Sequence, residues 1–485
     1  MRFLTFLILL SFVYGVSEAQ TPPNTSAWDQ VPHEAAAATR EFSPQLRTDM
    51  ATIRDAALKD DYAYTQLEHL TDSIGPRPSG SAQADAAVRY VAGEMRALGL
   101  DVKLEPVVVR RFIRGKDAAE LVEYPGQVPG AKQKIFVTAL SGNTPTPEDG
   151  ITGEILVVHN FDHLLSLGKE RIAGKIVLFD FAYYSRKAAA GRAGAAYGES
   201  VRYRSAGAAA AEKFGAIASL VRSAGDGAYR LPHTGYSAAA HIPAGAIAAE
   251  DAMLIERLSQ KGTVRIHLSL PTHQGPEVHS YNVIGDLKGS EHPEQVVIVS
   301  GHLDSWDLGT GAIDDGAGVV VAMETAELLH RLDLHPKRTI RVIAWMNEEM
   351  GATGRDVYAK EYESQITNHV AAMESDLGAE HPLGFHARIS EPAQQELTPV
   401  LEVLRPIGAS VLDLVTSSPE TDIESLSDKG VPALGVWQNG LRYFTFHHTA
   451  GDTLDKVVPE ELRENAACMA VMAYALAETP NPLPR

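Results

Sequence analysis

Five short segments in the C-terminal half concentrate imidazoles and carboxylates. They are Ser300-Gly301-His302-Leu303-Asp304, Asp314-Asp315-Gly316-Ala317-Gly318, Asn347-Glu348-Glu349-Met350-Gly351, Glu374-Ser375-Asp376 and His447-His448-Thr449-Ala450-Gly451-Asp452-Thr453. Mixed imidazole and carboxylate donors suit zinc or a similar first-row ion, whereas calcium and magnesium prefer all-oxygen shells. No cysteine lies near these segments, which excludes a thiolate-bound structural zinc. At least three carboxylates and two histidines suffice for two ions, and a carboxylate bridging them would lower their mutual repulsion. Two metals ~3.5–4 Å apart polarise a carbonyl and acidify water. In the Glu348-Glu349 pair, neighbouring side chains leave the backbone in different directions, so one can bind metal while the other serves as a base. His302 and Asp304 share a face if the segment is extended. The Asp304 carboxylate is then expected to accept a hydrogen bond from the second nitrogen of His302 and fix its tautomer. Singly, each motif has a plainer explanation: a solvated Glu-Glu, an Asp-Asp-Gly turn, a packed His-His. Their joint placement after strands, in glycine-rich loops, favours a metal centre.

The elements that must position them are readable from the apolar pattern. Residues 296–299 and 339–345 read as strands with a helix over 316–334 between them, 369–373 and 433–436 as further strands, and 459–477 as a terminal helix. Such alternation predicts a mostly parallel α/β sheet with helices on both faces. Ligands then gather at the carboxyl ends of the strands. Upstream, 82–98 reads as a helix capped by Gly99, and 101–109 as a strand. The middle, about 150–270, has another texture, with short strands at 154–158, 175–179 and 216–221 and helices at 208–214 and 249–259. Its histidines, His159, His163, His233 and His241, show no repeated ligand spacing and read as surface or core residues.

Length and composition set the outer limits. A chain of 485 residues predicts two or three domains. A net charge of −19 argues against nucleic acid or an anionic membrane as a main partner. Arg2, the apolar run 3–13 and Ser17-Glu18-Ala19 read as a signal peptide over 1–19, followed by a disordered leader over 20–44. The apolar run is shorter than the ~20 residues a membrane span needs. A secreted or periplasmic protein without a membrane span is expected. The lone Cys468 permits no intrachain disulfide.

The strings GHLDSWDLGTGAIDDGAG, WMNEEMGATG, AMESDLG and YFTFHHTAGDT resemble the motifs of the two-zinc aminopeptidase and carboxypeptidase family, and within it the carboxypeptidase Q subgroup. The resemblance implies a zinc exopeptidase fold and two Zn²⁺ per chain. His302 and Asp376 would hold one ion, Glu349 and His448 the other, with Asp314 between them and Glu348 as general base on the water they share. His448 is preferred over His447 because the ligand in this family directly precedes Thr/Ser-x-x-Asp-Thr. Peptides or dipeptides are the implied substrates, and a homodimer the implied assembly. Ile172-Ala173-Gly174-Lys175-Ile176-Val177-Leu178 and Ile242-Pro243-Ala244 resemble a protease-associated domain. It would be inserted over 126–274 into a peptidase domain made of 45–125 and 275–485. The competing readings are an aminopeptidase acting on longer chains, a one-metal glutaminyl cyclase, and a receptor-like relative without ligands. Retention of all six positions argues against the last.

Overall fold

Period-two alternation along the strands dictates the layering of the C-terminal part. In the computed structural model, which describes residues 42–227 and 229–485, Val297 and Val299 enter a core on one face of a sheet. Val296 and Ile298 enter a separate core on the other. The expected signal peptide lies outside the described residues.

That sheet has eight strands: β1 (Asp101–Ile113), β2 (His273–Leu287), β3 (His292–His302), β4 (Arg338–Trp345), β5 (His369–Glu374), β6 (Pro382–Arg388), β7 (Val411–Leu414) and β8 (Ala433–Gln438). Their spatial order is β1-β2-β4-β3-β5-β8-β6-β7. The middle four run parallel, while β1 with β2, β2 with β4 and β6 with β8 are antiparallel. The sheet is therefore mixed, with a parallel centre. Every residue of β4 and β5 is buried, as expected for parallel strands covered on both faces. Helices Ala317–Arg331 and Pro459–Glu478 cover one face, contributing Val320, Leu328, Met469 and Met472 to its core. Helices Thr353–Glu361 and Glu424–Ser427 cover the other with Tyr358 and Leu426. Each such apolar side chain withdrawn from water contributes ~1.5–3 kcal/mol. Cys468 is buried and free in the terminal helix.

A second eight-stranded sheet runs from Ala118–Glu123 to Arg265–Ser269 in sequence. Its parallel centre is formed by Ile151–Val158, Ile176–Phe179, Ala218–Arg222 and Ala244–Ile247. It has its own cores, one holding Ala252 and Ile255 of helix Ala249–Ser259 and the other Tyr203 and Ala208. The helix expected over 208–214 begins at Ala193 and ends at Glu212. Its Ala and Gly content gives little periodicity to read, yet the helix carries Tyr197 and Arg204 to the cleft. No helix among the described residues is long and apolar enough to cross a membrane.

Candidate metal centre

The three central strands end side by side. β3 stops at His302, β4 just before Asn347-Glu348-Glu349, and β5 just before Asp376. His302 Nε2 lies 3.2 Å from Asp314 Oδ1 and 3.2 Å from Asp376 Oδ1. His448 Nε2 lies 3.2 Å from Asp314 Oδ2 and 3.0 Å from Glu349 Oε2. The five residues expected as ligands thus meet, with Asp314 turning one oxygen to each imidazole. Donor atoms of His302, Asp314 and Glu349 lie within 4.8 Å of one another, as do those of His302, Asp315 and Asp376 and those of Asp314, His447 and His448.

The donor set fits cations. His302 Nδ1 donates to the Asp304 carbonyl at 2.9 Å, and His448 Nδ1 faces the Thr234 carbonyl at 3.2 Å. Each Nδ1 thus lies beside a backbone carbonyl, and Nε2 is the atom each ring turns to the cluster. Glu349 Oε1 is buried without a hydrogen-bond partner, an orphan that a cation would satisfy. Without cations, protons hold the cluster together. Against their burial, the carboxylates raise both imidazoles well above the usual range: for His302 chiefly Asp376 and Asp314, for His448 chiefly Glu349 and Asp314. Burial pushes Glu348 up to about 8, helped by Asp376, Glu349 and Asp314 against the pull of His302. Glu349 goes up to about 7, from burial and then Asp314. Asp314 alone is held well below its usual range, because His447, His302 and His448 outweigh its burial. A cation would displace the shared protons and take over their role.

Several carboxylates nearby shape loops instead. Asp304 differs from expectation: its carbonyl, not its carboxylate, accepts from His302. β3 stops at His302, and residue 304 lies past the strand whose alternation the expectation used. The Asp304 carboxylate instead accepts from Asn347 N at 2.6 Å, Glu348 N at 3.1 Å and Ser79 Oγ at 2.7 Å. Asp315, joined to Asp314 by a cis peptide, spends its oxygens on His302 N and Gly318 N, both at 2.9 Å. His447 stacks on His448 with ring centroids 3.7 Å apart, but its Nε2 is 3.6 Å from Asp314 Oδ2 and its Nδ1 has no partner.

Sequence reasoning passed over three residues that organise the centre. Arg77, fully buried, donates to the carbonyls of Leu303 (2.8 Å), Thr310 (2.7 Å) and Gly311 (2.8 Å), clamping the loop before Asp314. Asp452 accepts from Ala312 N and Ile313 N, both at 2.8 Å. Arg204 reaches in from the second sheet, with one nitrogen 3.0 Å from His448 Nδ1. Arg77 stood in a run of turn residues and Asp452 in the late motif, but nothing marked Arg204. The resulting cleft, of about 650 Å³, is lined by Glu348, Glu349, Asp314 and Asp376 on one side and Tyr197 and Arg204 on the other.

Comparison with known proteins places the chain in a family. Residues 282–473 match Peptidase family M28. Carboxypeptidase Q of Xenopus laevis is 35% identical over 462 residues, covering 92% of this chain and 94% of that protein. Aminopeptidase YwaD of Bacillus subtilis is 29% identical over 313 residues, 63% of this chain and 58% of its own. The crystal structure of a peptidase M28 precursor from Shewanella amazonensis has a TM-score of 0.85 at 34% identity, over 91% of this chain and 98% of that one. The chain belongs to peptidase family M28, in the subgroup of carboxypeptidase Q.

Proposed function

We propose that this chain is a dinuclear zinc exopeptidase that cleaves dipeptides, or removes the C-terminal residue of short peptides. His302 and Asp376 would hold one ion and Glu349 and His448 the other, with Asp314 offering one oxygen toward each. The observation that carries this reading is that both Nε2 atoms converge on opposite oxygens of Asp314 while both Nδ1 atoms are held by backbone carbonyls. When bound, the zinc pair supplies Lewis acidity, polarising the scissile carbonyl and acidifying water.

The chain's own residues then move the proton. Glu348 is half-buried at the wall of the cleft, and its backbone N–H is pinned to Asp304 Oδ1. Its carboxylate takes a proton from the attacking water and returns it to the leaving amine. Burial favours the protonated form, so proton capture there is easier than at an exposed glutamate. Asp304 serves by fixing both neighbours, His302 through its carbonyl and Glu348 through its carboxylate. The second sheet is assigned as a protease-associated domain that begins earlier than the 126–274 expected from sequence, because strand Ala118–Glu123 pairs with Arg265–Ser269 inside it, and its helix Ala193–Glu212 supplies the opposite wall of the cleft. Residues 1–19 are assigned as a cleaved export signal, with a secreted or periplasmic product.

Similarity to aminopeptidase YwaD favours one alternative, release of N-terminal residues from longer peptides. The discriminating experiment compares a dipeptide, its N-acylated form and an amino-acid anilide, with zinc counted per chain by elemental analysis. Cleavage of the dipeptide at about two zincs per chain supports the proposal. Preference for the anilide and for long peptides supports the alternative, and about one zinc per chain refutes the dinuclear assignment.

A further inference from the structure

One acid of the cleft has no task in the mechanism. Asp314, Glu349 and Asp376 belong to the metal centre, Glu348 is the assigned base, and Glu424 is paired with Arg355 at 2.6 Å. Glu420 lines the same cleft and is only 8% exposed. Its Oε1 is buried without a hydrogen-bond partner among the described residues. The charged groups that act on it are themselves acids, Asp376, Asp315 and Glu348. A buried carboxylate without a partner is costly, and an incoming cation removes the cost. Resting on the peptidase reading, we propose that Glu420 receives the cationic end of a basic substrate side chain, so that the enzyme favours lysine or arginine beside the cleaved bond.

The surroundings of Glu420 have room for such a side chain. At this point the cleft adjoins a second cavity of about 690 Å³, and Gly194, Leu377, Glu420 and Phe444 border both. The passage thus combines apolar walls with one carboxyl group. That suits a side chain with a hydrocarbon stem and a charged head. A purely apolar side chain would cover the carboxyl and leave it unpartnered, at a cost. The carboxyl itself rests on the backbone of β8, since a Cβ on Gly435 would stand 2.4 Å from Glu420 Oε1 and 3.0 Å from its Cδ. In the second cavity, Trp437 of β8 stacks on His386 of β6 with ring centroids 4.4 Å apart, and His386 Nδ1 lies 3.0 Å from Asp413 of β7. An aromatic surface and a second carboxylate both favour a cation. Arg192 lines this cavity too, but it is exposed, where water and salt screen its charge.

The test gives the metal-loaded full chain four dipeptides: Lys-Ala, Ala-Lys, and the same two with norleucine, which keeps the stem of lysine and lacks its ammonium. The wild type is expected to cleave one lysine dipeptide better than its norleucine counterpart by roughly 10- to 100-fold in kcat/KM, the scale of one charge-assisted pair. Whether that is Lys-Ala or Ala-Lys tells which side of the cleaved bond the cavity serves. Glu420→Gln should abolish the preference, mainly through KM, with zinc per chain unchanged. Equal cleavage of lysine and norleucine dipeptides by the wild type, or a preference for norleucine, overturns the proposal and needs no variant. So does an equal fall on both kinds in Glu420→Gln, which would make Glu420 a support of the metal centre. Should the wild type cleave none of the four, the peptidase reading fails. Calorimetric titration of the lysine against the norleucine dipeptides then still decides the cation site, tighter binding of lysine upholding it and equal binding removing it.

Discussion

Replacing Glu348 by glutamine isolates proton transfer from metal binding. The exchange keeps the shape of the side chain, and the backbone around it is fixed from outside. Asp304 Oδ1 holds both Asn347 N, at 2.6 Å, and Glu348 N, at 3.1 Å, and Asn347 sits at φ 75°. The amide therefore occupies the position of the carboxylate but cannot accept a proton. Positioned acid–base catalysis contributes 10²- to 10⁴-fold. Because Glu348 is assigned both the capture and the return of the proton, kcat should fall toward the upper end, about 10³- to 10⁴-fold, or ~4–5.4 kcal/mol in the barrier. KM for a dipeptide and zinc per chain should stay within about twofold, since the ligands surround Asp314 and not Glu348. The measurement is dipeptide turnover by chromatography alongside elemental analysis of the same sample. More than a tenth of wild-type kcat at full zinc would refute the assignment. Loss of zinc in parallel with activity would instead make Glu348 a ligand. A chelated sample adds an independent check. There Glu348 is a half-buried acid pushed up to about 8, so Glu348→Gln should raise the chelated protein's Tm at pH 8 and leave it nearly unchanged at pH 5.

The wild-type protein stripped by chelation should lose stability as pH rises from about 5 to 8. Glu348 and Glu349 keep protons in the folded state up to about 8 and 7, which the unfolded chain releases near 4.5. The raised His302 and His448 act in the same direction; thermal melts at several pH values read the slope, and zinc should flatten it. His448→Ala should lose about one zinc per chain while His447→Ala keeps both, by elemental analysis, because only His448 has its Nδ1 tied to a carbonyl; the reverse outcome would exchange their roles. Gly318→Ala should lower Tm and zinc content together, since a Cβ there would stand 1.9 Å from the Ser375 carbonyl, next to Asp376. An unchanged Tm and metal load would show that the loop yields.

What could be read from the sequence depended on whether a residue acts through its side-chain type or through its place in space. His302, Asp314, Glu349 and Asp376 each follow an apolar strand or open a helix, and a ligand must be an imidazole or a carboxylate, so position and type coincided. The strands themselves were readable because β4 and β5 are buried on both faces and need continuous apolar runs. The orienting partners obey no such rule. A carbonyl that fixes an imidazole can come from any residue, and here it comes from Asp304 and from Thr234, the second lying in another sheet's loop, 214 positions before His448. Arg204 stands 244 positions before the same histidine, within a helix whose Ala and Gly content hides its start. Arg77 acts through three backbone carbonyls, and carbonyls have no sequence signature. The Asp304 expectation failed for a related reason. It extended a strand period by two residues past His302, where the Asp304 carboxylate is used on Asn347 N and Glu348 N instead. Residues that touch the cation are thus constrained by chemistry, which sequence records. Residues that hold them are constrained by where backbone passes, which only the fold decides, and it is among these that Arg204 lies.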